Sequence, residues 1–161
     1  MTEKLLPVDH ATPATITVGS VNLLEVITKD RVLPAGYDGW AIRTVRPDLT
    51  SSRGFRYPYP GNVAVAPGPI LDHRGECPIA AGDGICAALT WRGMASGGVA
   101  ARTLLLVAYN SDDILGRSDE KLRLQHFLVV ELIDGESLLV KSGQDADLRG
   151  ANLRGAIGRP S

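Results

Sequence analysis

Hydrophobic patterning is strongest in two stretches of the second half of the chain. Residues 103–109, TLLLVAY, form a continuous apolar run of strand length, the pattern of a strand covered on both faces. Residues 124–133, LQHFLVVELI, read as a second long strand. The Asp134–Gly135 pair then sits between apolar runs and predicts a hairpin, with residues 137–140, SLLV, as the returning strand.

Earlier in the chain the signals are shorter. Trp40, Ile42 and Thr44 alternate with Ala41, Arg43 and Val45, which fits a half-buried strand. Residues 63–66, VAVA, predict a short edge strand. Residues 14–27, ATITVGSVNLLEVI, alternate only at their start and are broken by Gly19. Either a hairpin or a strand entering a short helix accounts for them.

Turn chemistry separates these runs. Pro34, Gly36 and Asp38–Gly39 punctuate one turn. Residues 48–69, DLTSSRGFRYPYPGNVAVAPGP, make a stiff extended segment, because Pro58 and Pro60 prevent regular strand pairing through it. Such a loop serves either as a binding element or as cover for one side of a core. Residues 82–98, GDGICAALTWRGMASGG, set a short apolar strand or helix start between two glycine turns. Residues 110–123, NSDDILGRSDEKLR, read as a polar turn around an isolated Ile114–Leu115 pair.

The implied organisation is a flexible arm at residues 1–15, a small α+β domain at 16–143 and a tail at 144–161. The tail carries the one true repeat. Ala146–Asp147–Leu148–Arg149–Gly150 is followed by Ala151–Asn152–Leu153–Arg154–Gly155 and then Ala156. A period of five with Leu at one point and small residues at another suits four-sided coils. Leu148 and Leu153 would then point inward. Stacked coils are stable only against neighbours, so these leucines are assembly candidates, and self-association through the C-terminal region follows.

Composition narrows the function classes. With 44% hydrophobic and 22% charged residues the chain is ordinary globular material. A net charge of -1 gives no electrostatic case for a nucleic-acid partner. No run approaches the length of a membrane span, and the N-terminus has no apolar leader core. Cys77 and Cys86 are too few to staple a secreted fold. The expectation is a cytoplasmic protein with both thiols reduced and Cys86 buried.

The tail resembles the pentapeptide-repeat signature. Gly39–Trp40, Arg53–Gly54–Phe55–Arg56–Tyr57, Gly61, Cys77, Gly82–Asp83–Gly84–Ile85, Leu104 to Val107, Lys121 to Arg123 and Val129 to Glu131 resemble a further pattern. It is that of a small uncharacterised domain of phage and bacterial proteins that often precedes such repeats. The resemblance implies a compact, mostly β, α+β domain with a mixed or antiparallel sheet and a short β-helix-like C-terminal fragment. It implies no activity.

The candidate chemistry is sparse. His73 and Cys77 alone approach zinc-ligand spacing, and no second pair completes a site, so no metal and no cofactor is expected. Cys86 after a glycine turn, with His126 on a strand, could form an activated thiolate, but the following Ala–Ala–Leu suits a buried packing residue. Arg43, Arg46, Arg53 and Arg56 recur around Tyr57 and Tyr59. Arginine forks and tyrosine faces of this kind make an anion- or nucleotide-binding surface. The order of Arg43, Ile85–Cys86, Leu105 to Val107 and Glu131 is also similar to that of ADP-ribosyltransferase-like folds. That similarity implies NAD binding, with Glu131 as the acidic residue. Cys86 stands where an aromatic or histidine is usual, and Val129 where a second acid would stand, so the implied domain is degenerate. The expected function is a non-enzymatic binding or scaffold module, with the NAD-binding domain as the alternative.

Overall fold

The computed structural model describes residues 17–18, 21–90, 93–94, 99 and 102–135. A two-residue hairpin, β1 (Thr17–Val18) and β2 (Val21–Asn22), leads directly into the helix α1 (Leu23–Thr28). Both alternatives for this segment are therefore used in succession. The body is a seven-stranded antiparallel sheet built from β3 (Gly39–Val45), β4 (Val63–Val65), β5 (Ile85–Ala88), β6 (Thr103–Tyr109), β7 (Ile114–Arg117), β8 (Lys121–Leu124) and β9 (His126–Asp134). Its strand order is β4-β9-β6-β3-β5-β8-β7.

The strand β6 lies near the middle, as its unbroken apolar run requires. It pairs along its whole length with β3, from Gly39 opposite Tyr109 to Val45 opposite Thr103, and on its other side with β9. Leu104 to Ala108 are all fully buried, so each face of the strand is covered. At the sheet edge, β4 carries the burial pattern exposed–buried–exposed, with Ala64 inward.

The run at 124–133 divides between two strands. Leu124 ends β8, Gln125 is a bend, and His126 begins β9. Three strands separate β8 from β9 in the sheet order, yet one residue connects them. Leu124 and His126 are two Cα steps apart and so lie within about 7.6 Å, whereas four inter-strand steps across a flat sheet would come to about 19 Å. The sheet must therefore curl until its two ends approach. Gln125 marks the seam. Its carbonyl accepts from Ala66 N, just past β4, at 3.0 Å, and its N–H donates to Asp113 O, just before β7, at 3.0 Å. The edge strands β4 and β7 themselves do not pair, and the curl stays open.

Inside the curl lies the core, with Ala41, Val45, Leu105, Val107, Leu122, Leu124 and Phe127 among its members. The 46–57 loop folds over one end, closed by a single bridge between Thr50 and Arg56. It returns Tyr57 to the core, where its ring stacks on Phe127 at 5.8 Å with 7° between planes. Burying side chains of this size stabilises the fold by about 1.5–3 kcal/mol each. Leu49, at the base of the loop, is itself buried in a left-handed conformation with φ 69°, which fixes the sharp entry.

Two expectations need correction. The pentapeptide-repeat architecture and the β-helix-like fold that goes with it are not found. The described residues form an open, antiparallel sheet whose strands pair edge to edge, whereas a repeat solenoid stacks successive coils. The compact α+β character, mostly antiparallel β, stands. The polar stretch at 110–123 is not a plain turn either, since β7 and β8 pair across it as a hairpin, with Gly116 opposite Arg123. Gly135 N–H donates to Arg102 O at 2.8 Å, carrying the β6–β9 pairing one step past Asp134. The returning strand at 137–140, the domain limits at 15/16 and 143/144, and Leu148 and Leu153 lie outside the described residues. Among the described residues no helix is long and apolar enough to cross a membrane.

Candidate functional site

The site arises from a fault in the sheet. β3 and β5 share one registered pair, Ile42 opposite Ala88. Continued pairing would set Thr44 against Cys86, but the strands part before that point. The Cys86 carbonyl accepts instead from the side chain of Arg43, whose Nη1 lies 3.3 Å away. Beside this divergence a cavity of about 510 Å³ opens between β5 and two loops, 51–57 and 77–82. Arg43, Arg53, Phe55, Cys77, Cys86 and Lys121 line it with parts of the loop backbone.

Arg43 is the least satisfied polar group on its wall. Its guanidinium carbon lies 5.4 Å from the centroid of the Tyr57 ring. Its Nε is buried and has no hydrogen-bond partner among the described residues. A buried donor left in that state costs about 1–3 kcal/mol. Tyr57 is committed to the core, being 2% exposed, with Phe127 against one face and Phe55 edge-on at 4.8 Å. Burial raises its phenol pKa, opposed by the charge of Arg43. Tyr57 thus supports Arg43 and offers no free face to a base. The half-buried Phe55 ring on the cavity wall is the aromatic surface at this site.

The two loops that enclose the cavity are fastened in different ways. Ser51 Oγ accepts from the backbone N–H groups of Arg53 and Phe55, each at 3.2 Å, and Gly54 takes a positive φ of 91° to complete that turn. Arg53 Nη1 then reaches across to donate to Pro78 O at 3.3 Å. The second loop is held by a buried clasp. Asp83 accepts from Leu71 N at 2.9 Å, Ile79 N at 3.1 Å and Arg123 Nη1 at 2.7 Å, and lies 2.6 Å from His73 Nε2. Arg123, 1% exposed, donates also to Gly75 O, Asp83 O, His73 O and, at 3.4 Å, Leu115 O. Burial alone would raise the Asp83 carboxyl. The Ile79 and Leu71 amides, His73 and the Arg123 charge outweigh it and hold its pKa at about 2. The close approach of this loop to β7 requires glycine at 116, where a Cβ would stand 2.1 Å from Gly75 O.

Cys77 and Cys86 are both free thiols, Cys77 half-buried and Cys86 buried. Cys86 Sγ donates to Glu76 O at 3.1 Å. Burial first, and then the neighbouring Cys77 thiol, push the Cys86 pKa up to about 11.

The structure gathers Arg43, Arg53 and Tyr57 around one cavity and leaves the other two proposed residues elsewhere. Arg56 Nη1 donates to Asp48 O at 2.9 Å on the exposed side of the loop. Glu131 is opposite Leu106, while Arg43 is opposite Leu105. Successive strand residues face opposite sides, so Glu131 and Arg43 lie on opposite faces of the sheet. Glu131 pairs instead with Arg31. The zinc pairing of His73 with Cys77 has no geometric basis, because His73 Nε2 engages Asp83 and Nδ1 accepts from Gly75 N at 3.1 Å. His126 stands beside Asp113, outside the cavity lining. Among the described residues no three His, Cys, Asp or Glu side chains gather as metal ligands.

Phe55, Lys121 and the Asp83–Arg123 clasp were not singled out as site elements by the sequence. The arginine between Leu122 and Leu124 was the available signal, since a charge inside an apolar strand pattern needs a buried partner. Comparison of the chain with protein families, with curated proteins and with solved structures finds no match. The resemblance to pentapeptide-repeat proteins and to the domain that precedes them thus has no support beyond the short motifs.

Proposed function

We propose that this chain is a binding module for a small anionic molecule carrying a flat apolar part. The observation that carries the reading is Arg43, which lines a 510 Å³ cavity and whose Nε has no hydrogen-bond partner among the described residues. A carboxylate or phosphate oxygen supplies the acceptor this group lacks, and guanidinium geometry suits both. Arg53 and Lys121 add positive charge at the same cavity, and Phe55 adds an apolar wall. The reading is non-enzymatic, because no carboxylate or imidazole lines the cavity among the described residues to move a proton. The NAD-binding transferase alternative requires Glu131 to work with Arg43, and their placement on opposite faces counts against it.

Isothermal titration of the full chain with AMP, NAD and uncharged adenosine tests the proposal. AMP should bind at least about tenfold more tightly than adenosine, which is about 1.4 kcal/mol. Arg43→Met should abolish that preference. Equal affinity for AMP and adenosine, or an unchanged preference in Arg43→Met, would sink it. NAD binding that is lost in Glu131→Gln but kept in Arg43→Met would favour the transferase alternative.

Two further parts of the reading rest on the sequence. Self-association through residues 144–161, with Leu148 and Leu153, predicts that light scattering gives a smaller assembly for a chain ending at Gly143. A cytoplasmic setting agrees with the two unbonded thiols.

A further inference from the structure

We propose that Cys77 and Cys86 form a reversible dithiol–disulfide couple that reacts with small disulfides entering the cavity. Three observations place the two sulfurs for this. Both residues line the same cavity. Cys86 Sγ donates to the carbonyl of Glu76, the residue before Cys77, at 3.1 Å. Cys77 also lies near enough to Cys86 to push the Cys86 pKa upward.

The surrounding structure holds Cys77 in place from both sides. Gly75 O is fixed by Arg123 Nε at 3.1 Å, Ile79 N by Asp83 at 3.1 Å, and Pro78 O by Arg53 at 3.3 Å. Residues 76–78 belong to no strand ladder, so their backbone can adjust to a sulfur–sulfur bond without breaking sheet pairing. Cys86 sits on the rigid strand β5 as the fixed partner.

Exposure assigns the order of events. Cys77 is half-buried and within reach of a molecule in the cavity, whereas Cys86 is 6% exposed. Cys77, as its thiolate, attacks one sulfur of a disulfide RS–SR. The S–S bond breaks, one RS⁻ leaves and takes up a proton as RSH, and a mixed disulfide Cys77–S–S–R remains. Cys86 then loses its proton to solvent and attacks the Cys77 sulfur, releasing the second RS⁻, which is protonated in turn. The sum is protein dithiol plus RSSR giving protein disulfide plus two RSH, with no electron unaccounted for. Excess RSH drives the same steps backwards. The raised Cys86 pKa agrees with its role as the second, resolving thiol.

The test uses the reduced full chain with glutathione disulfide, followed by alkylation of remaining thiols and intact and peptide mass spectrometry. Wild type should lose both alkylation sites and gain an intramolecular Cys77–Cys86 link. Cys86→Ser should stop at a glutathione adduct on Cys77, and Cys77→Ser should leave Cys86 unmodified. A wild-type chain that stops at the Cys77 adduct, or links only to a second chain, would overturn the couple, as would an adduct on Cys86 in Cys77→Ser. Cystamine, a cationic disulfide, is run in parallel. Intramolecular linkage at equal rates with both reagents would support the couple while counting against the anion-binding reading, so the two proposals fail separately.

Discussion

Two arginines within one sheet have opposite fates. Arg123 on β8 is enclosed, and each guanidinium nitrogen donates to a carbonyl or carboxylate. Arg43 on β3 has a carbonyl for Nη1 and a ring beneath it, but its Nε has no partner. Arg123 is fully buried, and Arg43 is half-buried within the same apolar framework. A fully satisfied guanidinium is a structural rivet, whereas one with an idle donor beside a cavity is prepared for something that is not part of the chain. Satisfaction together with depth of burial separates the clasp from the site.

The largest effect should come from breaking the clasp. Arg123→Met leaves the buried Asp83 carboxylate and the loop carbonyls of His73, Gly75 and Asp83 without this partner, and should lower Tm by about 10 °C or more. Arg43→Met removes one long hydrogen bond and one ring contact, so a fall of at most about 4 °C is expected. Thermal unfolding of both variants decides the matter. Equal losses would erase the distinction between the two arginines.

A more local break is Gly116→Ala. Its Cβ would meet the carbonyls of Gly75 and Arg74 at 2.1 and 2.7 Å and push the loop away from Arg123. Overpacking of this kind costs about 1–3 kcal/mol. Because the displaced loop carries Cys77, alkylation of that thiol should accelerate several-fold while the Arg43 side of the cavity is left in place. An unchanged alkylation rate would show that the clasp does not hold Cys77.

Acid should sharpen the comparison further. Asp83 is held at about 2, below its ordinary 3.8, so its contribution to stability is complete above about pH 4 and is lost as the pH falls through about 2. Arg43→Met should leave this acid limb where it is. Arg123→Met should move it to higher pH, and coincident limbs in the two variants would argue against the assignment.

The smallest effect lies at alkaline pH. Burial and the Cys77 thiol raise Cys86 from 9.0 to about 11, so its contribution is intact below pH 9 and is lost as the pH rises toward 11. Cys86→Ala should flatten that decline. A decline as steep in the variant as in the parent chain would assign it to other groups.

The sequence by itself determined the strands β3, β4 and β6 and the cover on both faces of β6, while β7 and most of β8 were hidden in a stretch that reads as a polar turn. The strand β3 reads as half-buried by its alternation yet is buried on both faces at Ala41, Ile42, Thr44 and Val45. The apolar run of β6 and the short edge strand β4 are local patterns that the fold keeps. Each reports how much of a residue's own surface leaves water. The sheet order, the bend at Gln125 and the division of one apolar run between β8 and β9 were decided by the tertiary structure. Leu124 and Phe127 are equally apolar whether their strands are neighbours or lie at opposite ends of the order. The roles of Arg43 and Arg123 were equally hidden. The contacts that saturate Arg123 reach 40, 48 and 50 residues back along the chain, and the Cys86 carbonyl that engages Arg43 lies 43 residues away. Hydrophobic period records that a face is buried and carries no record of what it is buried against. Whether a polar group finds its partner depends on segments that only the completed fold brings together.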